Sequence, residues 1–244
     1  VRAYVGTASV RAAWWRGWRA RVRAQSVEVA SADAADLDAA VERLDAALAQ
    51  LAARGARIAG AACEIVLADA WLLYDVVEAD LRDAPARIAD ETIRAALADV
   101  AGVDPAALEV RWQAQAANLY GACALPASAL RALAQVCARR RLRLRSVTGE
   151  LAHVFNARRA QIAAGSPHWL LAVVQPSGVQ FGLWRAGRLE ATYFDNAPPD
   201  DTTLQRDARA LLRRVGLEGD SIRCYAAGAG GMALPAGWTA LAAG

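Results

Sequence analysis

The sequence predicts an α/β protein of two lobes that share one plan. Residues 2–54 and 168–214 each read as a three-strand meander followed by an amphipathic helix, with little residue identity between them. The composition agrees: 56% of the 244 residues are hydrophobic and 22% are charged, a globular profile with enough chain for a large core. A third observation is SIRCYAAGAGGMALP, residues 221–235, where an apolar strand runs into a glycine cluster. Without Cβ atoms such a turn lets backbone approach a phosphate or a ring closely. Any tight strand-to-helix turn uses glycines equally well, so the cluster alone does not separate a nucleotide cradle from plain fold. Two lobes facing one another form a cleft, the usual place for a ligand.

The elements follow in order. RAYVGTASVRAAWW, WRARV and SVEVA give three successive strands with a turn at Arg16-Gly17. Arginine alternates with apolar residues in WRARVRAQ, which suits either a solvated sheet face or a surface for an anionic partner. Trp14, Trp15 and Trp18 fit core and edge packing, or a partner surface, since adjacent strand positions point to opposite faces. Residues 33–54 form the clearest helix, with Leu37, Val41, Leu44, Leu48 and Leu51 on one face and Gly55 as the stop. Strands are expected at 57–69 and 71–81, a helix at 85–101 stopped by Gly102, and strands at 108–115 and 118–126. A helix over 127–140, a period-two strand over 141–149 and a helix over 150–164 come next. Residues 168–196 hold three strands with turns at Pro176-Ser177-Gly178 and Ala186-Gly187, and NAPPDDTT leads into the helix TLQRDARALLRRVG.

Several chemistries are excluded by residue type. The chain contains no lysine, so there is no P-loop lysine, no Schiff-base lysine and no kinase-type ATP lysine. Cys63, Cys123, Cys137 and Cys224 form no CxxC pair and sit in apolar segments, as buried free thiols do. His153 and His168 have no partner at ligand spacing, so neither a histidine metal site nor a triad is expected. The run Arg139-Arg140-Arg141 reads as a helix end whose carbonyls favour cations, more than as a nucleic-acid contact. Asp195, Asp200 and Asp201, beside two prolines, read as a solvated loop and not as a metal site. A net charge of +3 predicts no strong attraction to polyanions. No apolar stretch reaches the ~18–20 residues that span a bilayer, and no signal-peptide pattern opens the chain. A cytoplasmic protein without membrane insertion or nucleic-acid partner is therefore expected.

Three stretches carry a resemblance. RAYVGTASVRAAWWRG is similar to an Asp-x-Gly-Thr phosphate hairpin, with Gly6 and Thr7 matching and Tyr4 at the aspartate position. LLAVVQPSGVQFGLWRAGRL is similar to a second such hairpin; the aspartate position falls at about Val173, and Ser177 and Gly178 lie in the turn. IRCYAAGAGGMALP is similar to an adenosine motif, through Gly228, Gly230, Gly231 and Pro235. Together these resemble the actin-like ATPase superfamily, whose lobes have a ribonuclease-H-like fold. The likeness is greatest to the type IV pilus assembly protein PilM, with the cytoplasmic domain of the type II secretion L protein and the cell-division protein FtsA as relatives. It implies a first lobe at 1–60, an inserted α+β subdomain of the FtsA/PilM type at 61–140, a return to the first lobe at 141–166, and a second lobe at 167–244. LRSVTGELAHVFNA resembles the strand and helix of that return. NAPPDDTT replaces a helical subdomain, so the second lobe is reduced, and its terminal helix and strand look curtailed.

The departures bear on chemistry. In the resembled ATPases two aspartates, one per hairpin, organise Mg²⁺ on the phosphates. A neutral phenol and an isopropyl group cannot hold that ion. Pro176 also removes a backbone donor from the second turn. The resemblance thus implies a protein that is not an enzyme: a pseudo-ATPase scaffold in a type IV pilus or type II secretion assembly platform. Its partner would be the cytoplasmic tail of a PilN-like inner-membrane subunit, with motor components as further contacts, at the inner face of the inner membrane. Gly6, Thr7, Ser177, Gly178, Gly228, Gly230 and Gly231 would be a degenerate nucleotide site, with no metal and with ATP and Mg²⁺ disfavoured. The alternative is an ATP-binding protein of the PilM type with unorthodox ligands.

Overall fold

The computed structural model describes residues 1–16, 22–30, 36–116, 118–163, 166–218, 222–228 and 232–241. In chain order its elements are β1 (Arg2–Val5), β2 (Ser9–Arg16), β3 (Val22–Ala30), α1 (Leu37–Ala53), β4 (Ala62–Leu67), β5 (Leu73–Glu78) and α2 (Ala86–Ala101). Then come β6 (Leu108–Ala116), β7 (Leu119–Pro126), α3 (Ala127–Arg139), β8 (Arg143–Gly149), α4 (Glu150–Ala163), β9 (His168–Gln175), β10 (Gly178–Arg185) and β11 (Arg188–Asp195). The chain closes with α5 (Asp201–Arg214), β12 (Arg223–Ala227) and β13 (Trp238–Leu241). It divides into two compact units, one of Val1–Trp71 with Pro126–Glu150 and one of Leu72–Leu125 with Leu151–Gly244.

The first unit is built on a sheet ordered β3-β2-β1-β4-β8. β1, β2 and β3 pair antiparallel as a meander, while β4 runs parallel to β1 and β8 parallel to β4. α1 packs on β2 and β3, and α3 packs on α1 and β8. The helix face expected from spacing is the one that is buried: Val41, Leu44, Leu48 and Leu51, joined by Ala40 and Ala47. α1 starts at Leu37, because the Asp36 side chain accepts a hydrogen bond from the Asp38 amide and caps it there. Residues 33–35 and Gly17, which the expected helix start and first turn included, lie outside the described residues.

The second unit contains a sheet ordered β11-β10-β9-β12-β13. Its directions repeat those of the first: β9, β10 and β11 antiparallel, then β12 parallel to β9 and β13 parallel to β12. Both of its faces are covered, so β9 is buried almost throughout instead of alternating. Leu170, Ala172, Phe181 and Leu183 share a core with Leu204, Ala208 and Leu211 of α5. On the other face Trp169, Leu171, Val173 and Trp184 pack with Leu151 and Ile162 of α4. Rings of Trp169 and Trp184 stack at 4.0 Å, with Phe155 at 5.0 Å from Trp184. The Ala186-Gly187 turn has φ of 51° and 78°, the pair of positive values that a two-residue hairpin turn requires.

The stretch RAYVGTASVRAAWW, expected as one strand, divides into β1 and β2 around Gly6–Ala8, and SVEVA lies inside β3, while residues 18–21 of WRARV lie outside the described residues. Two further expectations move. The insertion expected at 61–140 is shorter as structure: β4 lies inside the first sheet between β1 and β8, and α3 belongs to the first unit. What remains is a three-stranded sheet, β5-β7-β6, with α2 on it and a core of Val77, Ile93, Leu97, Val110 and Tyr120. It is tied to β11 by Thr192 Oγ1 donating to the Tyr74 carbonyl at 3.0 Å and the Leu189 amide donating to Gln115 Oε1 at 3.1 Å. Secondly, the glycine cluster does not lead into a helix among the described residues. The chain instead continues into β13, paired with β12 from Cys224↔Trp238 to Ala227↔Leu241, so the final strand is present.

Candidate functional site

In the first unit the carboxyl ends of β1, β4 and β8 collect the polar groups, the edge at which parallel strands usually present a site. Gly6 turns the chain after β1, its amide donating to the Ser9 carbonyl at 3.0 Å. Tyr4 lies across that turn: a Cβ on Gly6 would stand 2.5 Å from Tyr4 Cε1. The Tyr4 hydroxyl donates to Glu150 Oε2 at 2.8 Å, and the Arg11 guanidinium sits 5.1 Å from the ring centroid. Burial and the neighbouring Glu150 carboxylate push the Tyr4 phenol far above its ordinary range, so it is neutral at pH 7. Burial also raises Glu150, opposed by the Tyr4 hydrogen bond and by Arg11. Asp69, in the 3-10 turn after β4, is wholly buried and close enough to Tyr4 to raise its phenol further. Thr7 is 2% exposed, and its Oγ1 has no hydrogen-bond partner among the described residues.

Sequence reasoning found Tyr4, Gly6 and Thr7 and missed Asp69 and Glu150. The signal was present, since each is a carboxylate within two residues of the end of a strand, β4 or β8, in IVLAD and in RSVTGE.

In the second unit the turn between β9 and β10 carries Pro176 and Ser177. The Ser177 hydroxyl oxygen is buried without a hydrogen-bond partner among the described residues. Gly178 has φ 142°, and a Cβ there would stand 2.1 Å from the Asp195 carbonyl oxygen, so the turn is pressed against the end of β11. Gly228 has φ 78°, and its Cβ would lie 2.3 Å from the Val174 carbonyl oxygen. Both glycines are therefore required by backbone contact alone. Gly228 abuts the end of β9 just before the turn of Ser177 and Gly178. Gly230 and Gly231 lie outside the described residues.

No family model matches the chain, and no curated protein matches its sequence. Solved structures do. A chain of the PilM–PilN type IV pilus biogenesis complex superposes with a TM-score of 0.72, covering 98% of this chain and 87% of that one at 11% identity. A Bacteroides thetaiotaomicron protein with an actin-like ATPase fold gives 0.61 over 93% of this chain and 80% of its own, at 9% identity. The fold is that of the actin-like ATPases. The cytoplasmic domain of EpsL, an inner membrane component of the type II secretion system of Vibrio cholerae, is similar too, at 0.59 over 98% and 84% with 13% identity.

An actin-like fold implies Mg²⁺ and nucleotide, and the residues at the two positions that would organise the metal, Tyr4 and Val173, do not fit that ion. At the first hairpin the aromatic ring of Tyr4 fills the space beside the turn, and its hydroxyl engages Glu150. At the second, Val173 is fully buried in the apolar cluster with Trp169 and Trp184, on a face that offers no ligand. Among the described residues no group of three or more His, Cys, Asp or Glu side chains is placed to hold a metal.

The other polar clusters have structural roles. Asp200 accepts from the Thr203 amide while the Thr203 hydroxyl accepts from the Asp200 amide, a reciprocal cap on α5. Asp195 and the mostly buried Asp207 share Arg206, at 3.2 and 2.7 Å. Arg140 grips Asp45 of α1 with two bonds, Nε to Oδ1 at 2.8 Å and Nη2 to Oδ2 at 2.7 Å. No helix among the described residues is long and apolar enough to cross a membrane.

Proposed function

We propose that this chain is a non-catalytic, actin-like scaffold of a type IV pilus or type II secretion assembly platform. It binds the cytoplasmic tail of a PilN-like inner-membrane subunit and so works at the inner face of the inner membrane, with cytoplasmic motor components as further contacts. The observation that carries the loss of catalysis is the Tyr4 ring, folded over Gly6 and hydrogen-bonded to Glu150 where a metal-organising carboxylate would stand. Support for the partner comes from the similarity to a chain of the PilM–PilN complex along nearly the whole length. The test is calorimetric titration of the protein with tail peptides of PilN-like subunits encoded beside it. Saturable binding to one of them is expected; no heat with any of them overturns the assignment of partner.

One observation favours a second reading, in which nucleotide still binds. Thr7 Oγ1 and Ser177 Oγ, one in each phosphate-type turn, are buried hydroxyls without a partner among the described residues. Such groups are uncommon in native proteins and suit an acceptor supplied by a ligand. That reading expects ATP to raise Tm, since a ligand that binds only the native state stabilises it.

A further inference from the structure

β8 forms one edge of the first sheet, paired with β4 and with no other strand. Its residues Arg143, Arg145 and Ser146 are exposed, as is Arg141 just before it. Two other edge strands have carbonyls taken by side chains: Arg54 donates to the Ser26 carbonyl of β3 at 3.1 Å, and Arg111 to the Val110 carbonyl of β6 at 2.8 Å. Among the described residues no side chain bonds to the backbone of residues 144–149 of β8.

The charge around this edge has one sign. Residues 126–149 contain six arginines and no acidic residue, while the other 220 residues hold 22 arginines against 25 acidic ones. The positive net charge is thus concentrated in α3 and β8. Among the described residues the carboxylates paired with these arginines are Asp45 and Glu64. Asp45 is committed to Arg140 at 2.7 Å, and Glu64 divides itself between Arg2 and Arg145 at 3.2 and 3.3 Å. The Arg139 and Arg145 side chains remain 58% and 63% exposed.

We propose that the free edge of β8 is a docking site for an acidic, extended segment of a partner protein, which adds to the first sheet as a further strand. Unpaired amides and carbonyls alternate along a strand edge, so the occupant must supply acceptors and donors at the same spacing. A peptide backbone supplies both. A phosphodiester backbone offers acceptors only and would leave the β8 carbonyls unpaired. The arginines set the sign of the occupant: they repel a second copy of β8 and attract carboxylates placed beside the ladder. The register shift between Cys63 and Glu64 falls opposite Arg145, and residues 146–149 pair regularly with β4. Residues 146–149 therefore offer the ladder, and residues 141–145 the charge. This surface is separate from the PilN-like tail assignment and does not depend on it.

The probe is a labelled peptide alternating glutamate with threonine, seven residues long like β8, titrated into the full chain and followed by fluorescence anisotropy. Saturable binding is expected, weakening as salt rises from about 50 to about 500 mM. Arg143→Glu combined with Arg145→Glu should weaken it about tenfold. Tm should change little, since both positions are exposed. Bound peptide should slow hydrogen exchange within residues 143–149. A peptide alternating glutamate with proline carries the same charge, lacks every second amide donor, and should not bind. No binding of the glutamate–threonine peptide at about 1 mM would overturn the proposal. So would equal binding of the two peptides, unchanged binding by the charge-reversed variant, or unchanged exchange at 143–149. Tighter binding of a single-stranded oligonucleotide than of the peptide would overturn it too. None of these outcomes bears on the PilN-like tail, whose titration uses a different peptide.

Discussion

Replacing Tyr4 by Phe removes one hydroxyl and leaves the ring over Gly6. The partly buried Glu150 carboxylate then loses a 2.8 Å donor. Leaving a buried acceptor without its partner costs about 1–3 kcal/mol, and the partial exposure of Glu150 places it in the lower part of that range. For a chain of this size that is a fall in Tm of roughly 2–10 °C. The loss also has a pH signature. Burial raises the folded-state pKa of Glu150, and the Tyr4 hydrogen bond opposes that rise. A carboxyl with a raised folded pKa costs stability while it is ionised, and the cost disappears as pH falls through that pKa. Tyr4→Phe raises it further, so the penalty is full above the folded pKa and shrinks as pH falls through it. Scanning fluorimetry of both proteins across pH measures it, and a Glu150→Gln background should make the residual cost independent of pH. No loss at any pH, or a loss equal at every pH, would refute the reasoning that Tyr4 serves the partly buried Glu150 carboxylate.

Other substitutions probe the frame. Gly228→Ala places a methyl 2.3 Å from the Val174 carbonyl oxygen at φ 78° and should cost well over the ~1 kcal/mol of a strained φ alone. Gly216→Ala, at φ 70° with nothing within 4 Å of the added Cβ, is the control and should cost only that smaller amount; equal Tm losses would contradict the contact. Leu44→Ala empties a fully buried position of α1 and should lower stability by about 2–5 kcal/mol in urea denaturation. Arg140→Ala should cost up to about 1 kcal/mol, the pair being partly exposed. Arg140 depresses the folded pKa of Asp45, so this contribution is present above the unfolded pKa and vanishes as pH falls through the folded one. A difference in Tm that does not shrink as pH falls below the unfolded pKa would contradict it.

The second meander was legible because each strand and turn is written locally; in the first, the stretch 2–15 read as one strand is two, β1 and β2, and SVEVA is part of the longer β3. Period-two runs, the Ala186-Gly187 turn and the Leu37–Leu51 stripe need no long-range information. Strand β4 reads equally well as part of an insertion, because only its pairing with β1 and β8 places it in the first sheet. β13 was missed for a similar reason: four residues carry little pattern, and parallel pairing with β12 defines them as a strand. At the candidate site the local motif residues were found, and their departures from the ATPase pattern were plain in Tyr4 and Val173. What could not be read was that Tyr4 reaches Glu150 across 146 positions, a contact made by the order of strands in the sheet.

The central claim is that the first hairpin no longer receives Mg²⁺ and nucleotide. Tm measured with and without millimolar Mg-ATP tests it most directly, since binding at a hundredfold excess over Kd would add about 2.7 kcal/mol to the native state. The account predicts no shift and no phosphate release. A rise of several degrees with Mg-ATP, absent with Mg²⁺ alone, would contradict it and show that Tyr4 yields to a nucleotide.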